Sequence, residues 1–264
     1  MLDVKGIYKT FNKGTVNEKR ALQGLNLHLN DGDFVTVIGG NGAGKSTMLN
    51  AIAGVWPVDS GSIVIDGVDV TKQPEFKRAK YIGRVFQDPM MGTAANMQIE
   101  ENLAIASRRG KLPGLAWSSK AKQKDQFREM LAELDLGLED RLTSKVGLLS
   151  GGQRQAITLL MATLNQPKLL LLDEHTAALD PKTAAKVLEL TERIVTRDKL
   201  TTLMITHNMK DALRYGNRLI MLHNGQIIID VSGQEKASLD VPDLLKMFEK
   251  ASGDALASDR MLLT

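Results

Sequence analysis

The run Gly39-Gly40-Asn41-Gly42-Ala43-Gly44-Lys45-Ser46-Thr47 satisfies G-x-x-x-x-G-K-[ST], and each residue type in it has a chemical reason. Gly39, Gly42 and Gly44 let the backbone curl so that successive N–H groups face inward at phosphate oxygens. A helix that begins at such a turn adds the positive end of its dipole. Lys45 would bring a point charge to the β and γ phosphates of a nucleoside triphosphate. Ser46 would offer a hydroxyl to Mg²⁺, and Thr47 would touch the α phosphate. A dinucleotide fingerprint does not fit, because G-x-G set on Gly40 and Gly42 puts Lys45 where the third glycine belongs.

Two further patterns carry charge or donors. Leucines 169–172 run straight into Asp173 and Glu174. Four leucines without alternation suit a parallel strand buried on both faces, and the C-terminal edge of such a strand is where α/β sheets bind ligands. Asp173 would hold Mg²⁺, mainly through water, and Glu174 would polarise a water for in-line attack at the γ phosphate. The blander alternative is a solvated pair capping the helix that starts near Pro181. The third pattern is Leu149-Ser150-Gly151-Gly152-Gln153-Arg154-Gln155, ahead of apolar Ile157, Leu160, Met161 and Leu164 at helical spacing. Ser150 is a good N-cap, and Gly151, Gly152 and Gln153 open a second anion site at a helix N-terminus. It lies over 100 residues from the first motif. The economical arrangement is a head-to-tail dimer in which each copy caps the nucleotide held by the other.

Strands alternating with helices must position these groups, which predicts an α/β architecture with parallel strands. Leu25, Leu27 and Leu29 alternate with polar residues, and 34–38 is a short β-branched run ending in glycines. Ile63 and Ile65 lead into Asp66-Gly67, a hairpin signal with its return strand at 68–70. From about 98 to 165 helical patterns dominate, with a loop at 108–119. Alternation resumes with the leucine strand, a helix opened by Pro181, a strand at 201–206 and a hairpin turning at Asn224-Gly225. Residues 241–251 should be helical, with a fraying tail.

Composition narrows the classes. The 264 residues carry 34 Lys plus Arg against 31 Asp plus Glu, and no cysteine, so thiol nucleophiles, disulfides and zinc-thiolate sites are out. The longest apolar stretches fall far short of the roughly 20 residues of a membrane-spanning helix. Charges at Asp3, Lys5 and Lys9 break any signal-peptide core, so the expectation is an intracellular chain. A basic run at Arg108, Arg109, Lys111, Lys120, Lys122, Lys124 and Arg128 is interleaved with Asp125 and Glu129 and lacks stacking aromatics. It reads as a solvated helix face or one near lipid headgroups, and no nucleic acid partner is expected.

In this order, the motifs make the sequence resemble the ATP-binding subunits of ABC transporters from about residue 2 to 231. The resemblance implies an α/β fold: a P-loop NTPase core of mixed sheet with flanking helices, an N-terminal antiparallel β portion and an inserted helical lobe. One ATPase domain would span 1–240, its core at about 1–88 and 166–240 and its lobe at about 89–165. A short C-terminal helix and tail would occupy 241–264. By resemblance Gln87 is the glutamine that touches Mg²⁺ and the attacking water, Asp180 in Ala178-Leu179-Asp180 lies at the dimer contact, and His207 contacts the γ phosphate. Phe11, 28 residues before Gly39, matches the aromatic that stacks on adenine, with Tyr8 a weaker candidate. His175 stands where the family usually has proline and Ala177 where it usually has serine; His175 is expected to be structural. Val146-Gly147-Leu148 lacks the V-G-E of many exporter cassettes. The resemblance thus implies an MgATP-driven homodimer at the cytoplasmic membrane face, serving a separate permease near residues 87–96 and, indirectly, a solute-binding protein. Import is the expectation, with amino acids, aromatic ones among them, as the expected substrate class; an exporter, a lipid-extracting system or a non-transport ABC ATPase are the alternatives.

Overall fold

The computed structural model describes residues 1–110 and 121–252, and the chain divides into two compact units. One is built from residues 1–78 together with the chain from 199 onward, the other from 79–198.

The first unit opens with β1 (Leu2–Phe11) antiparallel to β2 (Lys19–Leu29), pairing Leu2 with Leu29 and Phe11 with Lys19. Leu25, Leu27 and Leu29 are buried, as their alternation predicts. β3 (Phe34–Ile38) is buried along its whole length and feeds α1 (Lys45–Ala53). β4 (Ser60–Ile65) and β5 (Val68–Asp69) form the expected hairpin, with φ of 50° at Asp66 and 75° at Gly67. The resulting antiparallel sheet runs β2-β1-β4-β5. In α2 (Glu75–Arg78) the buried guanidinium of Arg78 donates to Ala51 O and Ile52 O, both at 2.8 Å. It thereby satisfies the last carbonyls of α1, where a cation also complements the helix dipole.

The second unit contains β6 (Ile82–Val85), α3 (Ile99–Ser107), α4 (Ala121–Ala132), α5 (Gly151–Thr163), β7 (Leu169–Asp173) and α6 (Pro181–Asp198). β6 and β7 are parallel, from Ile82 beside Leu169 to Val85 beside Leu172, and all four leucines are buried. The loop expected at 108–119 lies beyond residue 110 outside the described residues. In the basic run, Lys124 pairs with Glu100 at 2.9 Å and Arg128 with Asp125 at 3.2 Å, but Arg109 is half-buried and donates to Ala162 O at 2.6 Å, so the run is not a solvated face throughout.

The chain returns to the first unit with β8 (Thr202–Ile205), α7 (Met209–Arg214), β9 (Arg218–His223), β10 (Gln226–Ser232), α8 (Gly233–Ser238) and α9 (Val241–Ser252). β3 is flanked by parallel β8 and β9, and β10 returns antiparallel through Asn224-Gly225, so the sheet is mixed as expected. α9 buries Leu244 and Phe248 in a cluster with Leu219, Met221, Ile229 and Val231. The tail from residue 253 lies outside the described residues. No helix among the described residues is long and apolar enough to cross a membrane.

Candidate functional site

In the first unit, β3 delivers the chain to Gly39 and α1 begins after Gly44. Gly44 has φ 107°, and a Cβ there would come within 2.7 Å of Ala21 O, so only glycine fits. No side chain caps α1. The curl that turns N–H groups inward turns carbonyls outward, and these find donors: Ala43 O accepts from Gly225 N at 2.9 Å. Lys45 is buried and its Nζ donates to Gly39 O at 2.6 Å and to Gly40 O at 3.3 Å, while Asn41, Gly42 and Ser46 are exposed and Thr47 is half-buried. Lys45 therefore lies folded along the loop that it would serve.

β8 runs parallel to β3, with Ile205 beside Val37, and Thr206 N donates to Val37 O at 3.1 Å. The half-buried His207 follows at the same C-terminal edge as the phosphate loop. The next residue, Asn208, caps α7, its Oδ1 accepting from Lys210 N and Asp211 N. Phe11 is half-buried, its ring edge-on to Trp56 with centroids 4.9 Å apart. Tyr8 instead lies over Gly24, its hydroxyl 2.8 Å from where a Cβ would be.

The second unit gathers the rest. Gln87 is exposed just past β6, and Asp173 and Glu174 end the adjacent β7, so all three meet at one C-terminal strand edge. Glu174 has φ 48°, a costly backbone state for a non-glycine residue and one that clusters at functional sites. The helix starting at Pro181 is capped by Asp180, whose Oδ1 accepts from Thr183 N at 3.1 Å, so Asp173 and Glu174 are not its cap. Hydrogen bonds from the Thr183 hydroxyl and, after it, the Thr183 N–H hold the Asp180 carboxyl below the usual carboxylate range.

Ser150 caps α5 as expected: its Oγ accepts from Gln153 N at 3.3 Å, and Gln153 Oε1 accepts from Ser150 N at 3.2 Å. Gly151 is exposed, but Gly152 is buried and a Cβ on it would collide with Thr183 Cγ2. This signature turn, Ser150 to Gln153 at the start of α5, thus rests on the start of α6, bringing it beside the Asp180 turn. A cleft of about 530 Å³ opens here, its wall including Leu134, Leu136, Gln153, Thr183 and Leu190.

His175 is 2% exposed. Thr191 Oγ1 spends its single proton on Val187 O at 2.8 Å, so it accepts from His175 Nε2 at 3.1 Å, which fixes the Nε2–H tautomer. Burial pushes the imidazole down to about 4, so it stays neutral at physiological pH. It is a core residue, as the sequence suggested.

A family model described as ABC transporter matches residues 22–177. The chain is 46% identical over 251 residues, 95% of its own length and 100% of the relative's, to a protein named tyrosine transport ATP-binding protein from Clostridioides difficile (strain R20291). The chain belongs to the ABC transporter ATP-binding family. This ABC ATPase is also 34% identical over 235 residues to the spermidine/putrescine import ATP-binding protein PotA of Haemophilus influenzae (strain ATCC 51907 / DSM 11121 / KW20 / Rd), spanning 89% of itself and 59% of that longer protein. Among solved structures it resembles a dimeric post-hydrolysis state of the cassette MJ0796 bound to ADP and Pi. The TM-score is 0.75 at 30% identity, over 88% of this chain and 98% of that one.

Several residues that position this cassette's motifs carry no local sequence signal. Arg84 Nη2 lies 3.5 Å from Asp173 Oδ2 while its guanidinium sits over the Phe86 ring at 4.5 Å. Its only trace in the sequence is one charge among the apolar residues of β6. Gln155, fully buried, donates from Nε2 to Phe86 O at 3.2 Å and so anchors the residue before Gln87 from the signature helix. Asn102 accepts from Ala94 N at 2.8 Å and donates to Gln98 O at 2.9 Å, clamping the segment that follows Gln87.

Proposed function

We propose that this ABC ATPase is the motor subunit of an importer for an amino acid, aromatic ones being the favoured class. The observation that carries the substrate class is the likeness, over that relative's full length, to a tyrosine transport ATP-binding protein. Two copies would associate head-to-tail at the cytoplasmic face of the membrane, each offering Ser150, Gly151, Gly152 and Gln153 to the nucleotide held by the other. Asp180 would lie at their contact. A permease would seat near residues 87–96, where Met90 and Met91 are exposed, and would in turn receive solute from a binding protein. Functionally we take 1–240 as one ATPase domain, with β6 and β7 serving the nucleotide core and about 89–165 the helical lobe.

The chemistry assigned to each side chain follows from its type and setting. Residues 39–47 hold the phosphates, Lys45 leaving the Gly39 and Gly40 carbonyls for the β and γ oxygens, and Phe11 stacks on adenine. Among the described residues no cluster of three His, Asp or Glu could cage a metal by itself. That suits Mg²⁺ brought in with the nucleotide, which takes one or two protein oxygens and phosphate oxygens. Ser46, Asp173 and Gln87 are the oxygens offered. Mg²⁺ would neutralise charge developing on the phosphates. Glu174 takes the proton of the attacking water, whose oxygen displaces ADP from the γ phosphorus, and His207 donates to a γ-phosphate oxygen.

Glu174→Gln is the direct test. It should keep ATP binding, lower turnover by roughly 100-fold or more and accumulate a closed dimer, which size-exclusion chromatography with ATP would show. Unimpaired turnover removes Glu174 from this role. Reconstitution with the permease and binding protein, scored by uptake of labelled tyrosine against other amino acids, decides the direction and the substrate.

A further inference from the structure

Lys19 was not singled out by any motif, yet the fold puts it at the phosphate loop. Its Nζ lies 3.3 Å from the point where a Cβ on Gly42 would sit, over the exposed part of the loop. Lys19 is also the cross-strand partner of Phe11. Directly paired residues of an antiparallel pair project from the same face with Cβ atoms about 5 Å apart. The ammonium therefore bridges the space from the aromatic ring to the phosphate loop. The neighbouring acid is engaged elsewhere: Glu18 Oε2 accepts from Gly14 N at 2.9 Å, and its Oε1 lies 3.7 Å from Arg20 Nε. Among the described residues the Lys19 ammonium has neither a hydrogen bond nor an ion pair.

We propose that Lys19 is a second phosphate-binding cation of this site, contacting the α or β phosphate of the bound nucleotide. The inference rests on residues 39–47 being the nucleotide site, and assigns the inner phosphates for a geometric reason. Lys45, buried under the loop beside Gly39 and Gly40, serves the terminal phosphates, whereas Lys19 stands between the adenine-side ring and Gly42. An ammonium there is attracted to phosphate in ADP and ATP alike. It sits at a solvent-exposed rim, so salt should weaken its contribution. It takes no part in the displacement, so its loss should raise KM and leave kcat nearly unchanged.

The test is isothermal titration of ATP, ADP and adenosine into the parent protein and into Lys19→Met, Lys19→Arg and Lys45→Ala. Lys19→Met should weaken ATP and ADP by about ten-fold, the scale of one lost charge-assisted hydrogen bond, and leave adenosine unchanged. Lys19→Arg should restore both nucleotides to within about two-fold, since it keeps the charge and the reach. Raising salt should narrow the gap between parent and Lys19→Met. ATP and ADP binding within two-fold of the parent in Lys19→Met, with Lys45→Ala impaired, overturns the role of Lys19 alone. Affinity unchanged from the parent in both Lys19→Met and Lys45→Ala overturns the nucleotide-site reading and this inference with it. A loss that extends to adenosine, or that affects ATP only, also rules out an inner-phosphate contact.

Discussion

α1 and α5 both start at glycine-bearing turns, and they treat their first N–H groups in opposite ways. A helix N-terminus leaves four donors without intrahelical partners. At α1 no side chain takes any of them, because Gly44 has none to offer. At α5 the Ser150 hydroxyl takes the N–H of Gln153, and the Gln153 amide closes the Ser150 N–H in return. Gln153 also donates from Nε2 to Leu136 O at 3.3 Å, so its side chain is fixed at both ends. One helix start is left open for an anion, with a lysine folded beside it. The other carries a side-chain cap on part of its donors, so an anion there must share a capped terminus. That difference suits a site that binds nucleotide by itself and a second that joins only when another copy presents the phosphate.

The largest effect should come from the open terminus. Lys45→Ala should weaken ATP binding by roughly 100-fold, about 3 kcal/mol, while leaving the fold intact. Gln153→Ala should leave the ATP affinity of an isolated subunit unchanged, since α5 is not expected to bind the nucleotide of its own chain. Equal losses in the two variants, read by titration of a monomeric preparation, would erase the distinction.

Packing separates the two turns next. Gly152→Ala would drive a Cβ into Thr183 Cγ2, a strain of about 2 kcal/mol for overpacking in a closed contact. The double variant with Thr183→Ser deletes that methyl and should recover most of the loss in urea denaturation. Failure of the second change to rescue the first would mean that the signature turn does not rest on α6 as described.

Acid should act at a similar scale on the unit that carries α5. His175 is held down to about 4 by burial, against an ordinary value of 6.5. Below pH 6.5 the unfolded chain takes up a proton that the folded one refuses until about pH 4. Stability contributed by the neutral ring is complete above pH 6.5 and drains away as pH falls toward 4. Between pH 7 and pH 5 the expected loss is about 2 kcal/mol. His175→Gln keeps a donor toward Thr191 and removes the titration, so its stability should fall less steeply over the same interval. Parallel slopes in pH-dependent denaturation would show that the imidazole is not the group responsible.

What the amino-acid string disclosed depended on how local each cause was. α1 could be read because β-branched residues, glycines and a helical pattern follow one another directly, and the Asp66-Gly67 and Asn224-Gly225 turns because two residues define them. β1 was harder. Gly6 at φ 55° and register shifts after Val4 and Lys9 break its alternation, so pairing with β2 and β4 holds it in place of periodicity. β6 is four residues long and contains Gly83 and Arg84, which local patterns do not mark as a strand. Gly83 is required because Ala162 O and Pro167 crowd it, and Arg84 because it reaches Asp173. Both reasons lie more than 70 residues away in the chain. Gln155 under Phe86 and Lys19 above Gly42 are likewise contacts between separate elements: the motif names the residues proposed to touch substrate, while those that hold or supplement them are chosen by three-dimensional contact.

The smallest change in stability is expected at Ser150, where it is also the most discriminating. Ser150→Ala removes the acceptor for Gln153 N and should cost about 1 kcal/mol, the usual worth of an N-cap. Ser150→Asp keeps an acceptor at the cap and places a negative charge at a helix N-terminus, where the dipole favours it, so the fold should be as stable as the parent or slightly more so. If a second copy does deliver its γ phosphate to this turn, that same charge repels it. Turnover in Ser150→Asp should then fall by at least about ten-fold, since like charges in contact cost more than the lost hydrogen bond of Ser150→Ala. Stability and activity would move in opposite directions at one atom position. A purely structural cap predicts that Ser150→Asp retains full ATPase activity. The steady-state rate at saturating ATP, set beside thermal denaturation of the same preparations, separates the two roles.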